Sequence, residues 1–163
     1  MFHVRNDVAK GELTLNKAND IIGFIDYSFR IDEKNLELLR MFVNYDFRSK
    51  NYATILLQEI IKYAHKIRAE CITLNINPEI EDCYNTLARE NGFESFYSAF
   101  IDFDEEERDT FIEKAKKLQE NRKNLLMHLF QRFGFTIWNE GIDIDRVVKK
   151  KSDPNSQWFI LRF

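Results

Sequence analysis

The segment Val43-Asn44-Tyr45-Asp46-Phe47-Arg48-Ser49-Lys50-Asn51-Tyr52-Ala53-Thr54 is the part of the sequence whose residue types and spacing best suit a chemical task. It joins an apolar run to an amphipathic one, with a short, basic, turn-prone loop between them. The first N–H groups of a helix have no internal acceptor and carry partial positive charge, so a loop that turns them outward holds a phosphate or pyrophosphate. Ala53 and Thr54 are small enough for close approach, and Asn51 tolerates a left-handed backbone. Arg48 and Lys50 add positive charge, and the alternative reading is a plain connecting loop. Other chemistries find no support. His3, His65 and His128 are far apart and none has a histidine four residues away, so no metal site is expected. No nucleophile elbow, Walker loop or dinucleotide fingerprint occurs, and Cys71 lies in an apolar run as a packing residue.

The elements that must position this loop can be read from the pattern of apolar residues. The 163 residues are 44% hydrophobic and 31% charged, with 5 Gly and 2 Pro, which suits one globular domain rather than a low-complexity chain. Fifteen Phe, 6 Tyr and 2 Trp supply a large apolar core. A net charge of −3 gives no field that would draw the protein to nucleic acid or anionic lipid. Two cysteines are too few for a disulfide framework, the start has no apolar signal core, and no run of about 18 apolar residues exists for a membrane span. A cytoplasmic location without membrane association is expected.

Residues 2–31 alternate as strands around a turn at residues 16–20, and residues 36–43 read as a central strand. A helix is expected over 52–68 and a strand over 71–76, making a strand, crossover helix, strand unit with a parallel pair. A second helix follows Pro78 and stops at Asn91-Gly92. Residues 93–103 are ambiguous between helix and strand. Asp104 to Glu107 form an acidic, capping-box start to a third helix, with a break expected near Asn121 and an end at Gly134. Residues 135–138 and 158–163 read as two final strands joined by a charged connection that contains Lys149, Lys150 and Lys151.

With the loop in this setting, the sequence resembles the GCN5-related N-acetyltransferases, whose acetyl-CoA loop reads V-x-P-x-x-[RQ]-x-x-G-x-[GA] between a strand and a helix. Val43, Arg48 and Ala53 match in register, while Tyr45 replaces the proline and Asn51 the first glycine. The resemblance covers residues 36–76 and 124–163. It implies an α+β fold with a mixed, twisted sheet and helices on both faces, and transfer of an acetyl group from acetyl-CoA to an amine by direct attack in a ternary complex. It also implies that Phe42, Val43, Arg48, Ser49, Lys50, Asn51, Tyr52, Ala53 and Thr54 bind the co-substrate, the backbone near Phe42 and Val43 facing the thioester. Glu37, eleven residues before Arg48, stands where histone-type members carry a catalytic base. A carboxylate in an apolar strand suits that role through a raised pKa, whereas a strand-start position paired with Arg40 or a lysine would make it structural. The tyrosine that family members use as an acid has no counterpart before either Gly-Phe pair. Tyr84, one turn further back on the first helix, or His128, two residues before Phe130 on the second, could substitute, while Tyr84 sharing a helix face with Ile80 and Leu87, and His128 lying beside Leu125, Leu129 and Phe130, read as structural.

The family places two helices between its first strands to wall the acceptor site, and here that interval is only residues 7–10. A helical insertion at about 79–121 within a single domain over 1–163 is expected to supply a wall or a homodimer surface. The acceptor is then a small-molecule or protein amine, with nucleic acid disfavoured. The competing reading keeps the fold and CoA binding without catalysis, as a binding or interaction module.

Overall fold

The alternation of apolar residues in the first third of the chain builds an antiparallel meander. The computed structural model describes residues 3–5, 8–138 and 157–163. Strands β2 (Val8–Lys17) and β3 (Asp20–Arg30) form a hairpin closed by Ala18 and Asn19, with Ala18 in the left-handed region at φ 54°. Strand β1 (His3–Arg5) pairs antiparallel with β2, and only residues 6 and 7 separate them, so no helix stands in that interval. Strand β4 (Asn35–Val43) continues the meander antiparallel to β3, and β5 (Cys71–Ile76) pairs parallel to β4. Strands β6 (Thr136–Ile137) and β7 (Gln157–Arg162) pair antiparallel. Among the described residues seven strands form one mixed sheet in the order β1-β2-β3-β4-β5-β7-β6, the α+β architecture that the sequence led us to expect.

A parallel neighbour requires a crossover, and helix α1 (Tyr52–Lys66) supplies it between β4 and β5. Leu56, Leu57, Ile60 and Ala64 line its inner face and are fully buried. The ring of Tyr63 packs at a tilt against Tyr27 of β3, with centroids 5.2 Å apart, which places Gly23, Ile25 and Tyr27 on the face that α1 covers. Burying side chains of that size stabilises by roughly 1.5–3 kcal/mol each. The helix ends two residues earlier than its apolar pattern suggests, because Arg68 turns left-handed at φ 58° and Ala69 donates back to the Ala64 carbonyl at 2.9 Å. Gly92 and Gly134 have φ of 86° and 90°, the conformation expected of the two helix stops.

The chain divides into two compact units: Met1–Asn75 with Phe130–Phe163, which holds the sheet and α1, and Ile76–Leu129. The second contains helices α2 (Ile80–Glu90), α3 (Phe96–Asp102) and most of α4 (Glu105–Arg132). Buried Ala88, Ala99 and Phe111 are surrounded there by Tyr84, Leu87, Phe93, Phe96, Phe100 and Phe103. Helix α3 occupies the stretch whose periodicity is ambiguous, and its start is set by a reciprocal cap between Ser95 and Ser98. Helix α4 passes Asn121 without the expected break. Its flanking residues are anchored instead: Gln119 donates to the Pro78 carbonyl at 2.7 Å, and Arg122 reaches Asp82 and Thr86 at 2.5 and 2.7 Å. A single asparagine lowers helix propensity by well under about 1 kcal/mol, less than such anchors recover.

Candidate active site

Strands β4 and β5 are clamped together at one end and part at the other. At the closed end Glu70 and Cys71 donate their N–H groups to the Lys34 carbonyl at 2.7 and 3.4 Å, and Lys34 Nζ meets Glu70 at 2.8 Å. Asn35 and Thr73 bridge the strands with buried side chains at 3.0 Å. The parallel register then stops at Leu38 opposite Leu74, although β4 continues along β3 to Val43. The cause is a bulge. Asp26 pairs with Arg40 and Tyr27 with Leu38, which leaves Leu39 as an extra residue and turns the remaining strand away from β5.

The phase of the ladder shows which peptide groups line this gap. Asn44 donates to the Ile22 carbonyl at 2.8 Å, while Gly23 lies opposite Val43 and Phe24 opposite Phe42. Val43 and Met41 are therefore the non-hydrogen-bonded positions toward β3, and their N–H and C=O groups point to the side that β5 has left. Phe42, by contrast, turns its peptide toward Phe24. Met41 joins Val43 as a donor into the gap, and sequence reasoning missed it because a bulge has no dependable residue signature. The one trace is the pair Leu38-Leu39, adjacent leucines of which the first is 6% and the second 51% exposed.

At the open end of β4 the chain makes a 3-10 turn over Tyr45–Phe47 and then enters α1. Ser49 and Asn51 are both left-handed, at φ 61° and 64°. Left-handed residues on either side of Lys50 are a backbone pattern that can gather successive amides into a concavity. Asn51 is the N-cap of α1 but accepts nothing on its side chain, so the first-turn amides of Tyr52, Ala53 and Thr54 have no acceptor among the described residues. The conformation that Asn51 adopts is the one that makes it a workable substitute for glycine. Asn51→Gly should keep the thermal midpoint and ligand affinity of the parent within about twofold, whereas Asn51→Val should lower stability by about 1–2 kcal/mol, read by urea unfolding.

The charged residues of the loop divide their roles. Lys50 is exposed, with Nζ 3.3 Å from the Asp46 carbonyl. Arg48 Nε donates to the Val43 carbonyl at 2.9 Å, and its guanidinium lies 5.6 and 5.7 Å from the centroids of Phe42 and Tyr45.

Glu37 lies before the bulge on the sheet face opposite α1, with its side chain 20% exposed. Its partner is Arg30 at 3.4 Å, not Arg40 or a lysine, and Arg30 is shared with Glu33 at 3.8 Å. Arg40 instead pairs with Asp26 at 2.9 Å and covers the ring of Phe24. Phe24 and Phe42 meet at 5.5 Å on the same face, and Phe42 is 37% exposed beside the gap. The thiol of Cys71 is pushed up by burial, which keeps it protonated and fits its packing role.

The loop, Glu37, Phe42 and Val43 thus share one unit, and Tyr84 belongs to the other. Its ring packs against Phe96, Phe100 and Phe111 at 5.5, 6.3 and 6.0 Å. The acidic start of α4 is a reciprocal cap, Asp104 N–H to Glu107 at 2.9 Å and Glu107 N–H to Asp104 at 2.8 Å. Beside it Leu87, Phe103 and Phe111 floor a shallow cleft of about 460 Å³. Lys149, Lys150 and Lys151 lie outside the described residues. Among the described residues no group of three His, Cys, Asp or Glu is placed to hold a metal, and no helix is long and apolar enough to cross a membrane.

The model of the acetyltransferase (GNAT) family matches residues 3–93, more than half of the chain. The chain belongs to the GNAT family. As a member it is an N-acetyltransferase with acetyl-CoA as co-substrate and an amine as acceptor. No curated protein matches the sequence significantly. Among solved structures, an IAA acetyltransferase from Bacillus cereus is 9% identical over 96% of this chain and 79% of its own, with a TM-score of 0.51. A PaiA N-acetyltransferase from Thermoplasma acidophilum, solved with coenzyme A, is 14% identical over 96% of this chain and 62% of its own, with a TM-score of 0.51. The ribosomal-protein-S18-alanine N-acetyltransferase of Escherichia coli is 11% identical over 94% and 68%, with a TM-score of 0.50. At these identities the likeness is one of fold.

Proposed function

We propose that this GNAT protein transfers the acetyl group to a primary amine by direct attack in a ternary complex, with the gap between β4 and β5 holding the acyl arm and the loop from Arg48 to Thr54 holding the pyrophosphate. What supports the reading is the placement of backbone donors that have no acceptor among the described residues: Met41 and Val43 on the parted strand, Ser49 through Thr54 at the helix start that follows it. Acetyl-CoA supplies the activated thioester. The amides of Met41 and Val43 donate to an acyl oxygen as it gains charge, which favours the transition state over the ground state. The dipole and amides of α1 neutralise the phosphates. Glu37, the one carboxylate of β4, takes the proton that the acceptor ammonium must lose, and the Arg30 pair holds its side chain in place. As the C–N bond forms the C–S bond breaks, and CoA leaves as a thiolate that takes its proton from solvent.

Release of free thiol from acetyl-CoA with a panel of small amines and lysine peptides tests the reading. Turnover with at least one acceptor is expected, and Glu37→Gln should lower kcat about a hundredfold with little change in KM. Acetyl-CoA binding with no turnover on any amine would favour a binding module, and no binding at millimolar concentration would sink both.

A further inference from the structure

We infer that Arg48 is a positioning residue for the acyl end of the channel, acting through the Val43 carbonyl rather than on a phosphate. The inference rests on the acetyl-CoA reading above. Val43 is the last residue of β4, and both of its peptide groups face the gap. Left alone, its carbonyl would set a partial negative charge beside the donors that must face an acyl oxygen. Arg48 occupies that carbonyl with Nε at 2.9 Å. At its open end the edge then presents the Val43 N–H backed by a cation, and the Met41 carbonyl faces the gap one pair further in. The guanidinium is held for this task between the rings of Phe42 and Tyr45, one on the strand end and one on the turn. The loop itself does not depend on the side chain, because Phe47 and Arg48 close its 3-10 turn through backbone bonds to Asn44 and Tyr45 at 2.9 and 3.2 Å. Lysine cannot replace this contact: an ammonium lacks the planar shape that packs between two rings while one edge donates to a carbonyl.

The test compares two ligands. Acetyl-CoA spans the whole channel, whereas 3′-phospho-ADP carries the phosphates without the acyl arm. By calorimetry, Arg48→Met and Arg48→Lys should each weaken acetyl-CoA about tenfold, as the loss of one charge-assisted hydrogen bond implies, and weaken 3′-phospho-ADP less than twofold. Thermal midpoints of the free variants report folding separately. Equal losses for both ligands would make Arg48 a phosphate ligand or a loop support and overturn the inference, as would full affinity in Arg48→Lys. If the parent protein binds neither ligand, the acetyl-CoA reading fails, and this inference fails with it; a parent that binds and a variant that is unchanged overturns the inference alone.

Discussion

Ala53→Glu should abolish measurable acetyl-CoA binding while leaving the fold intact. Ala53 stands in the first turn of α1, where its amide and those of Tyr52 and Thr54 have no acceptor among the described residues. A carboxylate introduced there would lie within about 4 Å of a bound phosphate, and two like charges at that distance near a protein surface repel by about 4 kcal/mol, close to a thousandfold in affinity. The same substitution places a negative charge at a helix N-terminus, which is mildly stabilising. Binding and stability are therefore expected to move in opposite directions. Calorimetry and thermal melting read the two separately, and an affinity within threefold of the parent would rule out this helix start as the phosphate site. Combining Ala53→Glu with Arg48→Glu should add little, since one repelling charge already removes the ligand.

Gly23→Ala should damage both the fold and the site. A Cβ at Gly23 would sit 2.4 Å from the Phe42 carbonyl oxygen, 3.1 Å from Leu56 Cδ1 and 3.2 Å from Val43 Cα. The leucine can rotate, but the strand backbone cannot yield without moving the end of β4. Overpacking of this kind costs about 1–3 kcal/mol, and the displacement falls on Phe42 and Val43, next to the donors that line the gap. The urea midpoint should drop accordingly, with acetyl-CoA affinity reduced about tenfold or more. Leu56→Ala in the same chain should not restore the affinity, because the backbone contact remains. An unchanged affinity with lowered stability would mean that the end of β4 does not contribute to the channel.

Both predictions depend on parts of the site that were unequally legible in the sequence. The loop was readable because its requirements are local: a left-handed residue at Asn51, small residues at the helix start, and an apolar run on either side. Those needs act through backbone conformation and nearest neighbours, so residue type alone reveals them. The helix stops at Gly92 and Gly134 and the cap between Asp104 and Glu107 were readable for the same reason. Helix α3 was not, since its cap uses two serines and its aromatic residues serve a core assembled from three helices.

By itself, then, the sequence determined the order of elements apart from α3, the parallel crossover and the left-handed entry to α1, because periodicity and capping are short-range properties of the chain. The tertiary structure alone decided that β4 and β5 part after Leu38, that Met41 and Val43 rather than Phe42 aim their amides into the gap, that Glu37 is held by Arg30, and that Arg48 is spent on the Val43 carbonyl. Each of these depends on the register between strands or on a partner several residues away. A single extra residue at Leu39 reverses which peptide groups face the open edge, and only pairing against β3 decides where that residue falls.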